Sequence, residues 1–274
     1  MRIKSGEIAK ITIAVIWSLL NLVPLAMVTM GSFKSTAEIY LGPFALPSRF
    51  SWENYDRAIL RSNVLRGIFN SFSYAIVSVL IILALSLMTA YVLSRYKSRI
   101  IGIVYILFVL GILVPTQATY IPLVSTFGRY GLTNKAFTMI IIYVTFNLPL
   151  SIILITGYMK GINKEIDEAA RIDGCGPFMT FVWIVAPLAV PAAATAGILS
   201  YINIYNDLIF ANLFISKTEL QTITQVINSF SAQYVTDMGA TFAAVMIAIL
   251  PMIIIYMLFQ EKVIAGMSAG ALKM

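Results

Sequence analysis

The sequence contains no histidine and a single cysteine, Cys175. A lone cysteine cannot form a disulfide within the chain, and the lack of histidine excludes most zinc sites and histidine-based catalysis. The motifs G-x-x-x-x-G-K-[ST], H-E-x-x-H and C-x-x-C are also missing, so the sequence offers no P-loop for ATP. These absences predict a chain that is not an enzyme, with no catalytic residue, cofactor or metal of its own.

Charge is scarce as well. Charged residues make up 11% of the 274 residues and hydrophobic residues 59%, with a mean hydropathy of +0.89, whereas a soluble domain has about 25% charged residues. Six segments carry no Asp, Glu, Lys or Arg, and each exceeds the roughly 20 residues that span a bilayer. They are 11–33, 67–94, 100–128, 136–159, 174–206 and 238–260. Because lipid favours helices, the sequence predicts an all-α, polytopic membrane protein with six transmembrane helices.

Within these segments the predicted helices lie near 11–30, 71–94, 100–117, 137–159, 178–201 and 240–260. Proline-containing residues 115–122 are expected to interrupt regular helix. The predicted layout is an N-terminus 1–10, a transmembrane domain 11–260 with outer loops 31–66 and 207–237, an inner loop 160–177, and an extended tail 261–274.

The orientation follows from the basic residues. Of the 19 Lys and Arg, 11 lie on the side of the N-terminus and 8 on the other side, which predicts that both termini are cytoplasmic in the cell membrane. The net charge of +7 is assigned to contacts of the span ends with anionic lipid headgroups rather than to nucleic acid.

One inner loop, 164–176, is a charged island between two long apolar segments. It contains Glu168-Ala-Ala-Arg-Ile-Asp173-Gly174, with two further acidic residues just before this stretch. Pro187 follows Gly174 in the next apolar segment. A polar, helix-forming loop contributes nothing to insertion into the membrane, so the pattern favours a docking site for a soluble partner. The candidate docking residues are Glu165, Glu168, Ala169, Ala170, Asp173, Gly174 and Pro187.

The spacing of this loop resembles the EAA loop of ABC importer permeases, with Ala186 where that family usually has Leu. Nearly the whole chain is similar to the shorter permease of the maltose-type sugar importers, although Tyr205 stands where the family often has Trp. The further matching segments are Pro43–Pro47, Trp52–Tyr55, Asn70–Ser71, Thr89–Arg95, Pro115, Ile121–Pro122, Tyr130–Asn134, Leu148–Pro149, Tyr205–Asp207 and Gly266–Ala271. The resemblance implies the fold of the type I ABC importer permeases.

The resemblance also implies partners. A second permease, two ATPase subunits that bind ATP and Mg²⁺, and an extracytoplasmic solute-binding protein are expected to assemble with this chain. The 164–176 loop would dock on one ATPase and couple ATP hydrolysis to alternating access for a mono- or oligosaccharide. In the tail, Gly266, Ser268 and Gly270 are expected to contact the ATPase.

Polar and aromatic side chains inside the spans are candidates for the substrate path. Asparagine and tyrosine supply the hydrogen bonds and flat surfaces that sugars need, although a bond between helices or an interfacial tyrosine belt explains the same residues equally well. The candidates are Asn147, Ser200, Tyr201, Asn203, Tyr205, Asn206 and Asp207.

Two alternatives stay open. An ABC permease could carry another small solute, such as a polyamine or a phosphate ester. A stand-alone secondary carrier is the second alternative, but such carriers usually need an ionisable residue inside the membrane, and the six segments contain none.

Overall fold

A computed structural model of the chain describes residues 5–61, 63–233 and 237–271, and every regular element in these ranges is helical. The predicted all-α class is therefore confirmed. The longer helices are α1 (Ser5–Gly31), α4 (Val64–Arg95), α5 (Arg99–Leu113), α6 (Thr116–Arg129), α7 (Ala136–Lys160), α11 (Val190–Tyr205), α13 (Ile223–Gln233) and α14 (Met238–Ala271). The shorter ones are α2 (Thr36–Leu41), α3 (Glu53–Arg61), α8 (Glu165–Ile172), α9 (Pro177–Thr180), α10 (Ala186–Leu188) and α12 (Ile209–Phe214).

Within the described ranges, four helices are long and apolar enough to cross a membrane, and two bent helix pairs raise the number to six if each pair is one span. The four are found in Lys10–Gly31, Val64–Arg95, Ala136–Lys160 and Met238–Met257. In the first of them, the 18-residue apolar window is not buried at all within the chain. An apolar helix that the rest of the chain leaves exposed is expected to be covered by lipid or by a partner protein.

The third predicted span is not one helix. Helices α5 and α6 meet at 94°, because Val114 adopts an extended conformation before Pro115, as residues that precede proline tend to do. The break is where the sequence analysis placed it, but the expectation of irregular backbone through residue 122 is wrong. Helix α6 starts at Thr116 and contains Pro122.

The fifth predicted span is also bent, by 71° between Pro177–Leu188 and α11. A π-helical turn, Phe181–Val185, is followed by α10, and Ala189 leaves ideal helix geometry at φ −87° and ψ 0°. Pro191 follows directly in the first turn of α11, where a missing N–H is tolerated. The prolines thus break this span near its middle.

The last helix differs from the prediction in its length. An extended tail was expected after residue 260, whereas the backbone of α14 stays helical to Ala271. Alanine and methionine are good helix formers, and no proline follows Pro251. The cost of the two tail glycines, about 1 kcal/mol each, does not end the helix.

The chain divides into two compact units, of which the first comprises Met1–Arg66 and Gln225–Pro251. In this unit the buried Lys34 ammonium donates a hydrogen bond to the carbonyl of Gly42 at 2.9 Å. The Asn54 amide donates to the carbonyls of Ser32 and Lys34, both at 2.8 Å. A Cβ on Gly239 would lie 2.5 Å from the Lys34 carbonyl, so this close approach requires glycine.

The second unit comprises Gly67–Thr224 and Met252–Met274. Its core is built from the ends of α4 and α7, the turn before α10 and the start of α11. Alanine dominates the α11 side of this core, which lets the helices approach closely. The buried residues are Ala90, Tyr91, Ile155, Met159, Val185, Ala189, Ala192, Ala193 and Ala196.

Candidate functional site

Helix α8 is the charged island of the sequence. Its first turn carries three carboxylates, Glu165, Asp167 and Glu168, which a helix N-terminus favours. The Asn163 side chain closes the start of the helix, because its Oδ1 accepts from the Glu165 N–H at 3.1 Å and its Nδ2 donates to Glu165 Oε2 at 2.8 Å. Eight residues therefore form a defined helix between two spans.

One face of α8 is open. Glu168 and Ala169 are exposed, and the side chain of Ile172 is 86% exposed. Phe178, just after the helix, is 71% exposed. Large apolar side chains that are exposed beside a charged helix indicate a surface that a partner or lipid covers.

The opposite face of α8 is fixed to the spans. Asp167 and Ala170 are buried, and Asp167 forms an ion pair with Arg95, with 3.0 Å between Nε and Oδ2. The same guanidinium donates from Nη1 to the carbonyls of Met159 at 2.9 Å and Ile162 at 3.2 Å. One buried arginine thereby joins the ends of α4 and α7 to α8.

The helix ends in a Schellman motif. The Cys175 N–H bonds to the Ala170 carbonyl at 2.9 Å, and the Gly174 N–H bonds to the Arg171 carbonyl at 3.0 Å. Gly174 has a φ of +84°, which glycine adopts at no steric cost. Gly174 is thus required by the end of the helix, in addition to any role in docking.

The structure brings most of the predicted docking residues together on α8 and its end. Glu165, Glu168 and Asp173 are exposed, whereas Ala170 is buried. Pro187 lies apart from them in α10, inside the bent span. The tail residues Gly266, Ser268 and Gly270 lie in the last turns of α14.

The predicted substrate-path residues lie where α7 and α11 pack together. Asn147 Oδ1 accepts from Asn203 Nδ2 at 2.9 Å, and the hydroxyls of Ser151 and Ser200 are 3.2 Å apart. The Tyr143 hydroxyl donates to Asp207 Oδ2 at 3.0 Å. We call these three pairs the polar ladder.

Asp207 ends the ladder just beyond α11. Besides the Tyr143 hydroxyl, its carboxylate accepts the N–H groups of Phe210 at 3.3 Å and Ala211 at 3.0 Å, so it caps the start of α12. Burial raises the pKa of Asp207 above the ordinary value of 3.8, and the hydrogen bonds, first of all the one from Ala211, partly offset this shift.

The remaining candidates differ in exposure. Tyr201 and Tyr205 are buried and stack on each other with 5.6 Å between ring centroids. Asn203 and Asn206 are exposed, and Asn206 donates to the Ile202 carbonyl of its own helix at 2.9 Å. Asn203 and Asn206 therefore stay available to a solute or a partner, whereas the two tyrosines pack inside the chain.

Sequence reasoning missed Arg95 and Asp167 as a pair, and Tyr143 and Ser151 as members of the ladder. The four-residue spacing of Tyr143, Asn147 and Ser151 was a usable signal, because residues four apart share one face of a helix. No comparable signal in the sequence joins Arg95 to a residue 72 positions later.

Two asparagines in segments that carry the family resemblance also have a structural role. Asn134, at a φ of 56°, accepts the N–H groups of Ser216 at 2.6 Å and Lys217 at 2.9 Å. The Asn70 amide donates to the carbonyls of Glu219 and Gln221, both at 2.9 Å. These two asparagines hold the segment before α13 against the starts of α4 and α7.

A helical chain with several apolar helices long enough to cross a membrane has the architecture of a multi-pass membrane protein. Residues 82–268 match the family of the binding-protein-dependent transport system inner membrane component. The chain belongs to this family, as the sequence analysis expected, and it is the permease component of such a system.

Relatives extend over the whole chain. The multiple sugar-binding transport system permease protein MsmG of Streptococcus mutans is 34% identical over 268 residues, which cover 96% of each chain. A bacterial ABC transporter involved in the import of the acidic polysaccharide alginate contains a chain with a TM-score of 0.80 and 25% identity, covering 95% of this chain and 98% of that one.

A further solved structure is the bacterial alginate ABC transporter in complex with an alginate pentasaccharide-bound periplasmic protein. Its matching chain has a TM-score of 0.68 and 17% identity, and the match covers 91% of each chain. This similarity concerns the fold alone.

Proposed function

We propose that this chain is one permease subunit of an ATP-driven importer that moves a mono- or oligosaccharide across the cell membrane by alternating access. Its expected partners are a second permease, two ATPase subunits that bind ATP and Mg²⁺, and an extracytoplasmic solute-binding protein. The family supports a transport subunit. The names of MsmG and of the alginate transporter support a carbohydrate as the solute.

The observation that carries the coupling role is the two-sided construction of α8. Its outer face presents Glu168, Ala169 and Ile172, and its inner face is fixed through Asp167. A carboxylate at the start of a helix can accept charge-assisted hydrogen bonds from a basic groove, each worth about 1.5–3 kcal/mol. Ala169 leaves room for close approach of the partner.

The Arg95–Asp167 pair supports a route for the movement. When ATP draws the two ATPase subunits together, a docked α8 would move with its subunit. Arg95 lies at the end of α4 and also binds the last carbonyls of α7, so both spans would follow α8 as a unit. Movement of the spans would then change the side of the membrane to which the solute path opens.

For the solute path, the fold leaves two candidates exposed, Asn203 on α11 and Asn206 directly after it. Asn147, Ser200, Tyr201, Tyr205 and Asp207 are more enclosed and would support that surface from behind. An importer also needs its docking helix on the cytoplasmic side, so we place both termini in the cytoplasm. The tail would then contact the ATPase through Gly266, Ser268 and Gly270.

The test is an exposed alanine replaced by a bulky residue. Ala169→Trp should leave the chain in the membrane, because the side chain points away from its own spans, but should block docking. Ala45→Trp is the matched control, since Ala45 is equally exposed in the loop between α2 and α3. Each tagged chain is co-expressed with its genomic neighbours, purified and assayed for sugar uptake.

We expect the wild type and Ala45→Trp to retain an ATPase, a second permease and a binding protein that stimulates uptake. The Ala169→Trp variant should lose the ATPase and all measurable uptake. An Ala169→Trp chain that keeps its ATPase and transports normally would refute docking through α8. A wild-type chain that purifies alone and transports without ATP would replace the importer with a secondary carrier.

A further inference from the structure

A second feature of the chain is an open cavity of about 750 Å³ at the ends of α4, α5 and α7. Its wall includes the α4–α5 connection with Lys97 and Arg99, and Lys160 at the end of α7. Its volume falls in the range of about 300–1,000 Å³ that is typical of sites for small ligands. The cavity lies wholly within the second unit of the chain.

The cavity is strongly cationic. Four basic side chains line it, Lys97, Arg99, Lys160 and Lys164, and no acidic residue does. The two ion pairs among the described residues involve other groups. Lys160 instead lies over the ring of Tyr105, 4.7 Å from its centroid. Four cations that share one cavity repel one another, so a bound anion would stabilise their arrangement.

The start of α5 adds to this field. Ser98 caps the helix, accepting the Ile101 N–H on its Oγ at 3.2 Å, and the first N–H groups of a helix carry partial positive charge. The Ser98 hydroxyl and the Tyr96 ring also line the cavity. Hydroxyl donors and helix N–H groups next to basic side chains are the groups that bind phosphate oxygens.

An apolar surface begins directly beside these charges. Helix α5 buries none of its residues, and Ile100, Ile103 and Leu107 are between 57% and 73% exposed. In a spanning segment such side chains face lipid tails. A ligand that meets both surfaces is amphipathic, with an anionic head in the cavity and an acyl chain along α5.

We propose that this cavity binds the headgroup of an anionic phospholipid, with phosphatidylglycerol as the simplest member of the class. The phosphate lies among Lys97, Arg99 and Lys160, and the acyl chains follow the exposed face of α5. The cavity lies at the ends of α4, α5 and α7 and needs no solute, and Lys164, the first residue of the proposed docking loop 164–176, also lines it.

The experiment counts the lipids that stay bound. The full chain, purified with its assembled partners, is equilibrated with equal amounts of phosphatidylglycerol and phosphatidylcholine, and bound lipid is counted by native mass spectrometry. The test variant is Lys97→Gln/Lys160→Gln. The matched control is Lys135→Gln/Lys217→Gln, which removes two exposed lysines at the other end of α7.

We expect selective retention of phosphatidylglycerol by the wild type and by the control. Because each lysine near an anionic headgroup contributes on the order of a fivefold change in affinity, the test variant, which lacks two of them, should lose about 25-fold of this selectivity. Equal retention of both lipids, or the same loss in the control, would overturn the proposal.

Two further measurements distinguish a bound lipid from other occupants of the cavity. Inorganic phosphate is added to the lipid-free chain, and protection of the cavity lysines from acetylation is measured. Protection by phosphate alone to the level that lipid gives would assign the site to a free anion and overturn the lipid. Loss of lipid from the assembly but not from the chain alone would show that a partner covers the cavity, which also overturns the proposal.

Discussion

The residues predicted for docking on α8 and those predicted for the substrate path on α7 and α11 were both chosen as polar residues beside apolar segments, yet the fold treats them in opposite ways. Helix α8 keeps its motif residues Glu168 and Ala169 exposed. The ladder turns Asn147 inward to bond with Asn203. Polar residues that a fold leaves exposed on a helix stay open to an external partner, whereas those that pair inside the fold stabilise the chain itself.

The comparison also divides α8 into two faces. Its outer face has the features of an interface, and its inner face is internal structure of the same kind as the ladder, with a stronger contact. Asp167 and Arg95 retain only 11% and 6% side-chain exposure. Variants on the inner face should therefore act on stability, and variants on the outer face should act on assembly.

The largest effect is expected from Arg95→Ala. Loss of the Arg95 guanidinium leaves the Asp167 carboxylate buried without its cation, which costs about 3–5 kcal/mol of folding free energy. Little full-length chain should then survive in the membrane, as measured by quantitative immunoblotting and by thermal unfolding of what remains. The apolar pair Arg95→Met/Asp167→Leu is the control, because a buried ion pair replaced as a whole is often neutral.

The double variant also tests the proposed route of movement. If it folds but takes up sugar poorly, the ion pair contributes to coupling as well as to stability. A single Arg95→Ala variant that is as stable as the wild type would show that α8 is held by other contacts.

The next effect is expected at Gly174. An alanine there must adopt a φ near +84°, which costs about 1–2 kcal/mol. Gly176→Ala is a close control, because a Cβ has open space at both glycines, while Gly176 has a φ of −70°. Thermal unfolding should separate the two variants, and equal stabilities would remove the conformational argument for Gly174.

Much of the fold, and the position and end of α8, could be predicted from the sequence because these features depend on local chemistry. The charge-free segments fix the spans, and Gly174 after the last helical residues of α8 is a recognisable helix end. The helix break at Pro115 follows from proline alone. Contacts between distant segments are different, since neither Arg95–Asp167 nor Asn70–Glu219 leaves a trace in local pattern. Which side of α8 is buried depends on the position of α4, and composition cannot supply that position.

The break in the fifth span illustrates the same limit. Pro187 and Pro191 were visible in the sequence, but proline occurs both in the first turn of a helix and at a kink within one. The sequence alone does not distinguish these two roles. The structure uses both prolines at new helix starts, after the π-helical turn. Whether a proline starts a helix or kinks one depends here on the tertiary packing of the alanines in α11. That packing involves residues of α4 and α7.

The ladder should respond more weakly than the ion pair. Asn147→Leu removes the bond to Asn203, and bonds between membrane helices contribute about 0.6 kcal/mol on average and at most about 1.7 kcal/mol. Asn206→Leu is the control, because Asn206 is exposed and its amide donates to the Ile202 carbonyl of the preceding helix rather than across to α7. Thermal unfolding should show a loss for Asn147→Leu and none for Asn206→Leu.

Sugar uptake by the same two variants sharpens the comparison. If Asn206 lies on the solute path, its substitution should lower uptake while stability stays unchanged. Unchanged uptake across several sugars would remove Asn206 from the path. An uptake defect in Asn147→Leu without a loss of stability would contradict the internal role that its buried position gives it.

The smallest expected effect concerns pH at the end of the ladder. Burial raises the pKa of Asp207 in the folded chain above 3.8, so folding favours the protonated carboxyl. That contribution to stability is fully present below the ordinary pKa and is lost as the pH rises through the raised value. Wild-type stability relative to Asp207→Asn should therefore fall as the pH rises across this window, because the asparagine carries no titrating proton. Thermal unfolding of both chains over an acidic pH series measures the difference. A relative stability that instead rises with pH would mean that the hydrogen bonds from Tyr143 and Ala211 outweigh burial. The ionised Asp207 carboxylate would then stabilise the fold, as the Asp167 carboxylate does through its ion pair.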